Sequence, residues 1–255
     1  MSTLLAESIR STMQALADGL YFILQDRLLG VYLGGSAAMG DFAPESSDLD
    51  FLVVTRGELS LEDAVAIKLL HQDLLRRYPD AVRLEGDYAP HEVLVPEGTT
   101  EPVPGCEKGK FLPKVGEIML SADNIADMRD HGVSFFGPPP ADLLPAVMPE
   151  QVRAAVRTMI TEGLDPFDSP VEAAANLLNL VRSACSLECG RPVTKSEGAA
   201  WGLAHLGHEW HEPIAAALAV RSGQEEPGYA DMIMSAVPAL ERWLRETYVT
   251  AGYAD

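Results

Sequence analysis

Residues 34–54 read GGSAAMGDFAPESSDLDFLVV. A Gly-Gly-Ser run is followed, with eleven residues between, by Asp48-Leu-Asp50 entering the apolar stretch Phe51 to Val54. Residues 49–55, LDFLVVT, are strongly β-prone. In a strand, residues i and i+2 share a face, so Asp48 and Asp50 project side by side. A strand that only fills a core has no use for two carboxylates at its start. Such a pair suits Mg²⁺, which takes a few carboxylate oxygens and completes its shell with water and substrate phosphates. Gly34 and Gly35 let the preceding turn approach a ligand closely. Ser36 offers a backbone N–H and a hydroxyl to phosphate oxygens, and a short helix behind it would add its positive end. Together these parts predict a triphosphate held through metal.

Working outward, apolar residues at helical spacing (Leu5, Ile9, Met13, Leu16, Leu20, Ile23) predict a helix over 4–25, and 30–33 a short strand. Ser60-Leu-Glu-Asp63 is a capping signal with Asp in place of Glu, opening a helix to about Tyr78. Residues 81–88 predict a third strand. Residues 90–113, rich in Pro, Gly and Thr, predict a loop with at most short strands. Ser121 caps a helix to about His131. Residues 137–145, GPPPADLLP, contain three successive prolines, which stiffen the chain into an extended segment and mark a domain boundary. Beyond it the pattern is helical, with helices expected at 149–162, 170–188, 195–206, 213–222 and 229–250. The expected fold class is α+β: an α/β domain with a small mixed sheet at 1–144, then an all-helical bundle at 145–255.

The chain of 255 residues carries 38 acidic against 19 basic side chains, a net charge of −19. Holding nucleic acid requires basic surface to neutralise phosphates, so a polynucleotide partner is disfavoured and no nucleic acid is expected. A cationic small molecule would be drawn to such a surface, although acidity also serves solubility alone. No apolar run approaches the roughly 20 residues that span a bilayer, and the N-terminus lacks the pattern of a secretory signal. Cys106, Cys185 and Cys189 are too few and too oddly numbered for a disulfide framework, which points to the cytoplasm. Cys185 and Cys189, four apart, fit helix core packing, as do Trp201 and Trp210. His205, His208 and His211 form a metal-like cluster, but Gly207 and Pro213 interrupt any single helix there, favouring a solvated helix end.

Transfer of a phosphoryl or nucleotidyl group needs a base for the attacking hydroxyl. Glu85 is the candidate, with Asp87 on the same face two residues on. Three carboxylates could hold a pair of metals; with one metal, Glu85 is free to take the proton instead. A salt-bridged surface glutamate is the competing reading. Residues 105–111, GCEKGKF, miss the P-loop pattern by one residue and lack its final Ser or Thr, and no Gly-x-Gly-x-x-Gly occurs.

Gly35-Ser36, Asp48-x-Asp50 and Glu85 resemble the nucleotidyltransferase superfamily. The helical half, with Arg182 and residues 195–206 (KSEGAAWGLAHL), resembles the streptomycin/spectinomycin adenylyltransferases, antibiotic-resistance enzymes that use Mg–ATP. The resemblance implies that Gly35, Ser36, Ser47, Asp48 and Asp50 hold metal and phosphates, with Asp48, Asp50 and Glu85 as metal ligands and Glu85 as base. It also implies that Arg182 and Lys195 reach phosphates, and that Asp168 and Glu172 grip the cationic acceptor between the domains of a monomer. The chain departs from that family in having no Trp before Trp201, with Ala175 where a histidine is expected and Arg221 near an aromatic position. An aminocyclitol like spectinomycin is therefore expected over streptomycin. A nucleotidyltransferase acting on another small molecule or on a protein is the alternative. Intact Asp48, Asp50 and Glu85 weigh against a non-catalytic nucleotide-binding module.

Overall fold

The computed structural model describes residues 5–44, 46–99, 101–113, 120–164, 167–224 and 226–250. The chain divides into two compact units, Met1–Phe42 with Ser47–Val147, and Ala43–Ser46 with Met148–Asp255.

The first unit is built on a six-stranded sheet of β1 (Leu28–Leu33), β2 (Leu49–Thr55), β3 (Leu84–Pro90), β4 (Gly105–Glu107), β5 (Lys110–Leu112) and β6 (Val133–Phe136). Their spatial order is β5-β4-β3-β2-β1-β6. Only β2 and β3 run parallel, joined through α3 (Leu61–Arg77); the other pairs are antiparallel. A parallel pair needs such a crossover, because a tight turn reverses the chain.

Strand alternation sorts the sheet into two faces. Val31, Leu33, Leu49, Phe51, Val53, Leu84 and Tyr88 pack under α1 (Glu7–Leu24) and α3, against Met13, Leu16, Leu20, Ile67 and Leu74. Tyr32, Leu52, Val54 and Ala89 face the other way, toward Leu94, Val103, Leu120, Leu144 and Met128 of α4 (Ala122–His131). Between the ends of β1 and β2 lies α2 (Gly35–Met39). Helix α3 opens with the expected capping box: Ser60 Oγ accepts from Asp63 N–H, and Asp63 accepts from Ser60 N–H. Asp63 also forms a bidentate pair with Arg27, at 2.6 and 2.7 Å.

The structure differs from expectation in places. The third strand starts at Leu84, because Pro79–Arg83 forms a 3-10 turn instead. Strand β6 had no reading in the sequence. The triple proline is no free spacer: the Tyr32 hydroxyl donates to the Pro138 carbonyl at 3.1 Å, Pro140 is buried, and Pro140–Leu143 forms the short helix α5. Leu4, the expected start of the first helix, lies outside the described residues.

The second unit is helical: α6 (Pro149–Glu162), α7 (Pro170–Cys189), α8 (Lys195–His205), α9 (His211–Arg221) and α10 (Tyr229–Leu244), the last running into a π-helical turn at Arg245–Thr250. Helix α7 is its axis, burying Ala173, Ala174, Leu177, Leu178, Val181 and Ala184. Cys185 is buried as expected, but Cys189 is exposed, one residue before the helix stops at left-handed Gly190. Trp201 and Trp210 are half-buried rather than core residues; Trp201 stacks on His205 at 5.1 Å. His205 ends α8 and His211 begins α9, and both His205 and His208 are exposed. No helix of the described residues is long and apolar enough to cross a membrane.

Candidate active site

The acidic pair sits where the sequence places it. Asp48 immediately precedes β2 and Asp50 is its second residue; both are exposed, while Leu49 and Phe51 on the opposite face are buried. In the parallel register Asp50 is paired with Glu85, and Leu52 with Asp87. Asp48, Asp50, Glu85 and Asp87 therefore share the sheet face that carries Leu52 and Val54, on strands about 4.8 Å apart.

This crowding shows in the acidities. The Glu85 carboxyl is pushed up to about 7, first by burial and then by the charges of Asp48, Asp50 and Glu107. A hydrogen bond to Asp48, which only protonated Glu85 can donate, acts the same way. Glu107 was not singled out in the sequence. It ends the three-residue strand β4, whose antiparallel pairing of Gly86 with Cys106 carries it level with Glu85. Asp87 is also pushed up to about 7, by burial alone, and is 7% exposed.

The turn before the pair is shaped around it. Gly35 has φ +57°, in the left-handed region, and a Cβ there would collide with the Asp50 carboxylate. Gly34 N–H donates to the Asp50 carbonyl at 2.8 Å. Gly35 N–H is itself taken, donating to Asp127 Oδ2 of α4 at 3.0 Å. Ser36 is half-buried on α2, whose five residues are too few to build a useful helix dipole. Ser47 is held from the β3 side: Arg83 Nη1 donates to its carbonyl at 2.9 Å, and the same guanidinium lies 5.9 Å above the Phe42 ring.

A divalent cation fits this donor set in charge and chemistry. Two exposed carboxylates beside a third, driven toward neutrality by burial and then by their charges, form an anionic surface that a hard cation would relieve. Among the described residues no three carboxylate, imidazole or thiol groups close into a metal cage. The protein would thus supply only part of a coordination shell, as at magnesium sites shared with substrate phosphates.

In the helical unit, Arg182 lies on α7 and Lys195 is the first residue of α8. They are neighbours because Gly198, one turn into α8, packs against the Arg182 backbone so closely that a Cβ would clash. Arg221, at the end of α9, donates from Nη1 to Ser196 Oγ at 3.2 Å. Three cations of a strongly acidic chain are thus gathered around the first turn of α8. Asp168 is exposed just before α7. Glu172 is already engaged in the structure. Its Oε2 accepts from the backbone N–H groups of Asp168 and Ser169, the latter half of a capping box. Those bonds hold its carboxyl below the ordinary range.

Two family models match the chain. One, described as the nucleotidyltransferase domain, covers residues 20–98 and so spans Gly35, Ser36, Asp48, Asp50 and Glu85. The other, described as the aminoglycoside adenylyltransferase C-terminal domain, covers residues 142–245 and spans Asp168, Glu172, Arg182 and Lys195. A spectinomycin 9-adenylyltransferase of Campylobacter jejuni is 25% identical over 204 residues, 72% of this chain and 74% of that protein. The crystal structure of the spectinomycin adenyltransferase of Enterococcus faecialis, with ATP and spectinomycin, has the same fold: TM-score 0.75 over 92% of this chain and 99% of that one, at 18% identity. The chain is a nucleotidyltransferase that resembles the aminoglycoside adenylyltransferases.

Proposed function

We propose that this nucleotidyltransferase transfers AMP from ATP to a hydroxyl of an aminoglycoside or aminocyclitol antibiotic, in a magnesium-dependent reaction, with a spectinomycin-like acceptor favoured over streptomycin. The observation that carries the reading is the pairing of Asp50 with Glu85 across β2 and β3, with Glu85 pushed up to about 7. A general base works best when its pKa lies near the operating pH. The spectinomycin activity of both relatives supports the acceptor class. The absence of any Trp before Trp201 supports a smaller ring system than streptomycin.

Asp48 and Asp50 would hold Mg²⁺, which supplies charge neutralisation and orientation for the triphosphate. The Ser36 hydroxyl and the backbone around Ser36 and Ser47 bind phosphate oxygens. Glu85 accepts the proton of the acceptor hydroxyl. The acceptor oxygen bonds to the α-phosphorus as the bond from that phosphorus to the oxygen bridging to the β-phosphate breaks, and pyrophosphate leaves. Arg182 and Lys195 are the cations that offset phosphate charge, an assignment resting on the family resemblance. Asp168 and Glu172 are assigned on the same ground to the acceptor's ammonium groups.

The test is incubation with α-labelled ATP, Mg²⁺ and a panel of aminoglycosides and aminocyclitols. Labelled AMP on spectinomycin, with a weaker signal on streptomycin, is the expected result. Transfer to streptomycin alone would overturn the acceptor preference, and no transfer to any member would overturn the acceptor class.

A further inference from the structure

Helix α4 is absent from the chemistry described so far, yet it touches the phosphate-side turn at two consecutive residues. Asp127 Oδ2 accepts the Gly35 N–H at 3.0 Å, and its Oδ1 is bonded to His131 Nδ1 at 3.1 Å. Met128 fills the space where Gly34 lacks a side chain. Asp127 is only 16% exposed, so its bond to Gly35 is shielded from competing water.

We propose that Asp127 is a positioning residue for nucleotidyl transfer: by holding the Gly35 N–H it fixes the left-handed turn against which the Asp50 carboxylate rests. The proposal builds on the transfer reaction above but is argued from the turn itself. Gly35 is at φ +57°, and the Asp50 carboxylate occupies the space its Cβ would take. Gly34 N–H is anchored on the Asp50 carbonyl. The turn and the carboxylate therefore constrain each other on one side, while Asp127 is the turn's anchor on the other. Without it, the peptide between Gly34 and Gly35 can rotate, because glycine has no steric barrier to other φ values. Asp50 would then lose the wall that sets its carboxylate. Misplacement of a reacting group by about 1 Å costs on the order of 10²-fold in rate.

Asp127→Ala removes the acceptor, whereas Asp127→Asn retains a carbonyl oxygen for the Gly35 N–H and discards the charge. In protein labelled with ¹⁵N-glycine, the Gly35 amide should exchange slowly with solvent in the native chain and in Asp127→Asn, and quickly in Asp127→Ala. The AMP-transfer kcat should fall at least tenfold in Asp127→Ala, with the Mg²⁺ concentration for half-maximal rate raised, and stay within about threefold in Asp127→Asn. Circular dichroism should show all three chains folded. Equal Gly35 exchange in the native chain and Asp127→Ala would overturn the proposal, as would Asp127→Asn being as impaired as Asp127→Ala. If the native chain transfers no AMP to any acceptor, the proposed function fails by itself, and amide exchange still decides the role of Asp127.

Discussion

Asp50 on β2 and Glu85 on β3 are register partners in the one parallel strand pair among the described strands. Both side chains leave the same face of the sheet, at neighbouring strand spacing, with Asp48 beside them. Burial first, and then like charges so placed, hold Glu85 near 7, and its pKa would fall part of the way if its neighbours were neutralised. The site is electrostatically frustrated when it holds no cation.

Asp48→Asn and Asp50→Asn each keep side-chain volume while removing a charge. Each should abolish AMP transfer. Because repulsion with Glu85 is relieved, each should also melt at or above the temperature of the native chain when Mg²⁺ is chelated. Kinetics and thermal melts in EDTA check both halves. A variant that stays active would remove that carboxylate from the metal's ligands.

Gly35→Ala places a methyl group where the Asp50 carboxylate lies, at a backbone angle that costs an L-residue roughly 1–2 kcal/mol. Transfer should fall by more than that cost in stability would explain, since the displaced group is functional. Gly57→Ala is the control: φ there is +70°, but open space surrounds it, so it should lower stability similarly and leave kcat unchanged. Denaturant unfolding alongside kcat separates the two effects.

Much of this site was legible because its signals are local. Asp48 and Asp50 belong to one strand, the turn precedes it, and the capping box of α3 is contained within Ser60 and Asp63. Glu85 was a candidate from its place two residues before Asp87 on the next predicted strand, and the family resemblance agreed with it. What escaped depends on partners distant in sequence. Glu107 is level with Glu85 only because β4, three residues in a Pro-rich loop, pairs antiparallel with β3. Asp127 reaches Gly35 from a helix 92 residues later, and no local pattern distinguishes it from the other acids of α4. Strand β6 follows a helix directly and is only four residues long, too short for alternation to stand out. Glu172 shows the reverse: its position as N3 of a capping box follows from Ser169 three residues earlier, a local signal that competes with its assignment to the acceptor.

Buried His71 of α3 gives a pH prediction separate from catalysis. Its Nδ1–H donates to the Gly109 carbonyl at 3.1 Å and its Nε2 accepts from the Tyr88 hydroxyl at 2.5 Å, so the folded protein holds the neutral ring. Burial lowers its pKa from 6.5 to about 4. Above the unfolded value neither state binds the proton, and this contribution is fully present. As pH falls from about 6.5 to 4, the unfolded chain takes up a proton that the native state refuses, and stability is lost, by about 3 kcal/mol at full effect. Glu85 and Asp87, raised toward 7, push the opposite way over the same range. Their contributions cancel when the native chain is compared with His71→Gln. Urea unfolding at pH 7.5 and 4.5 should show the native chain losing more stability than the variant; equal losses would contradict the buried neutral ring.

The last prediction assigns the proton. Glu85 and Asp87 are both pushed to about 7, so acidity does not distinguish them, but position does. Glu85 is half-buried and level with Asp50, whereas Asp87 lies two register pairs further along, beside Leu52, and is 7% exposed. A general base must come within hydrogen-bond reach of the acceptor hydroxyl, and only Glu85 stands at the open end of the strand pair where Asp48 and Asp50 are also exposed. Glu85→Gln should therefore bind Mg–ATP with normal affinity and lose about 10²–10⁴-fold in kcat, the usual contribution of a general base. Asp87→Asn should retain most of the rate, because its carboxyl is buried away from the open end of the strand pair. Steady-state kinetics with isothermal titration of ATP in each variant tests the assignment. Loss of ATP affinity in Glu85→Gln would make Glu85 chiefly a metal ligand. A collapse of kcat in Asp87→Asn, with Glu85→Gln nearly intact, would transfer the base to Asp87.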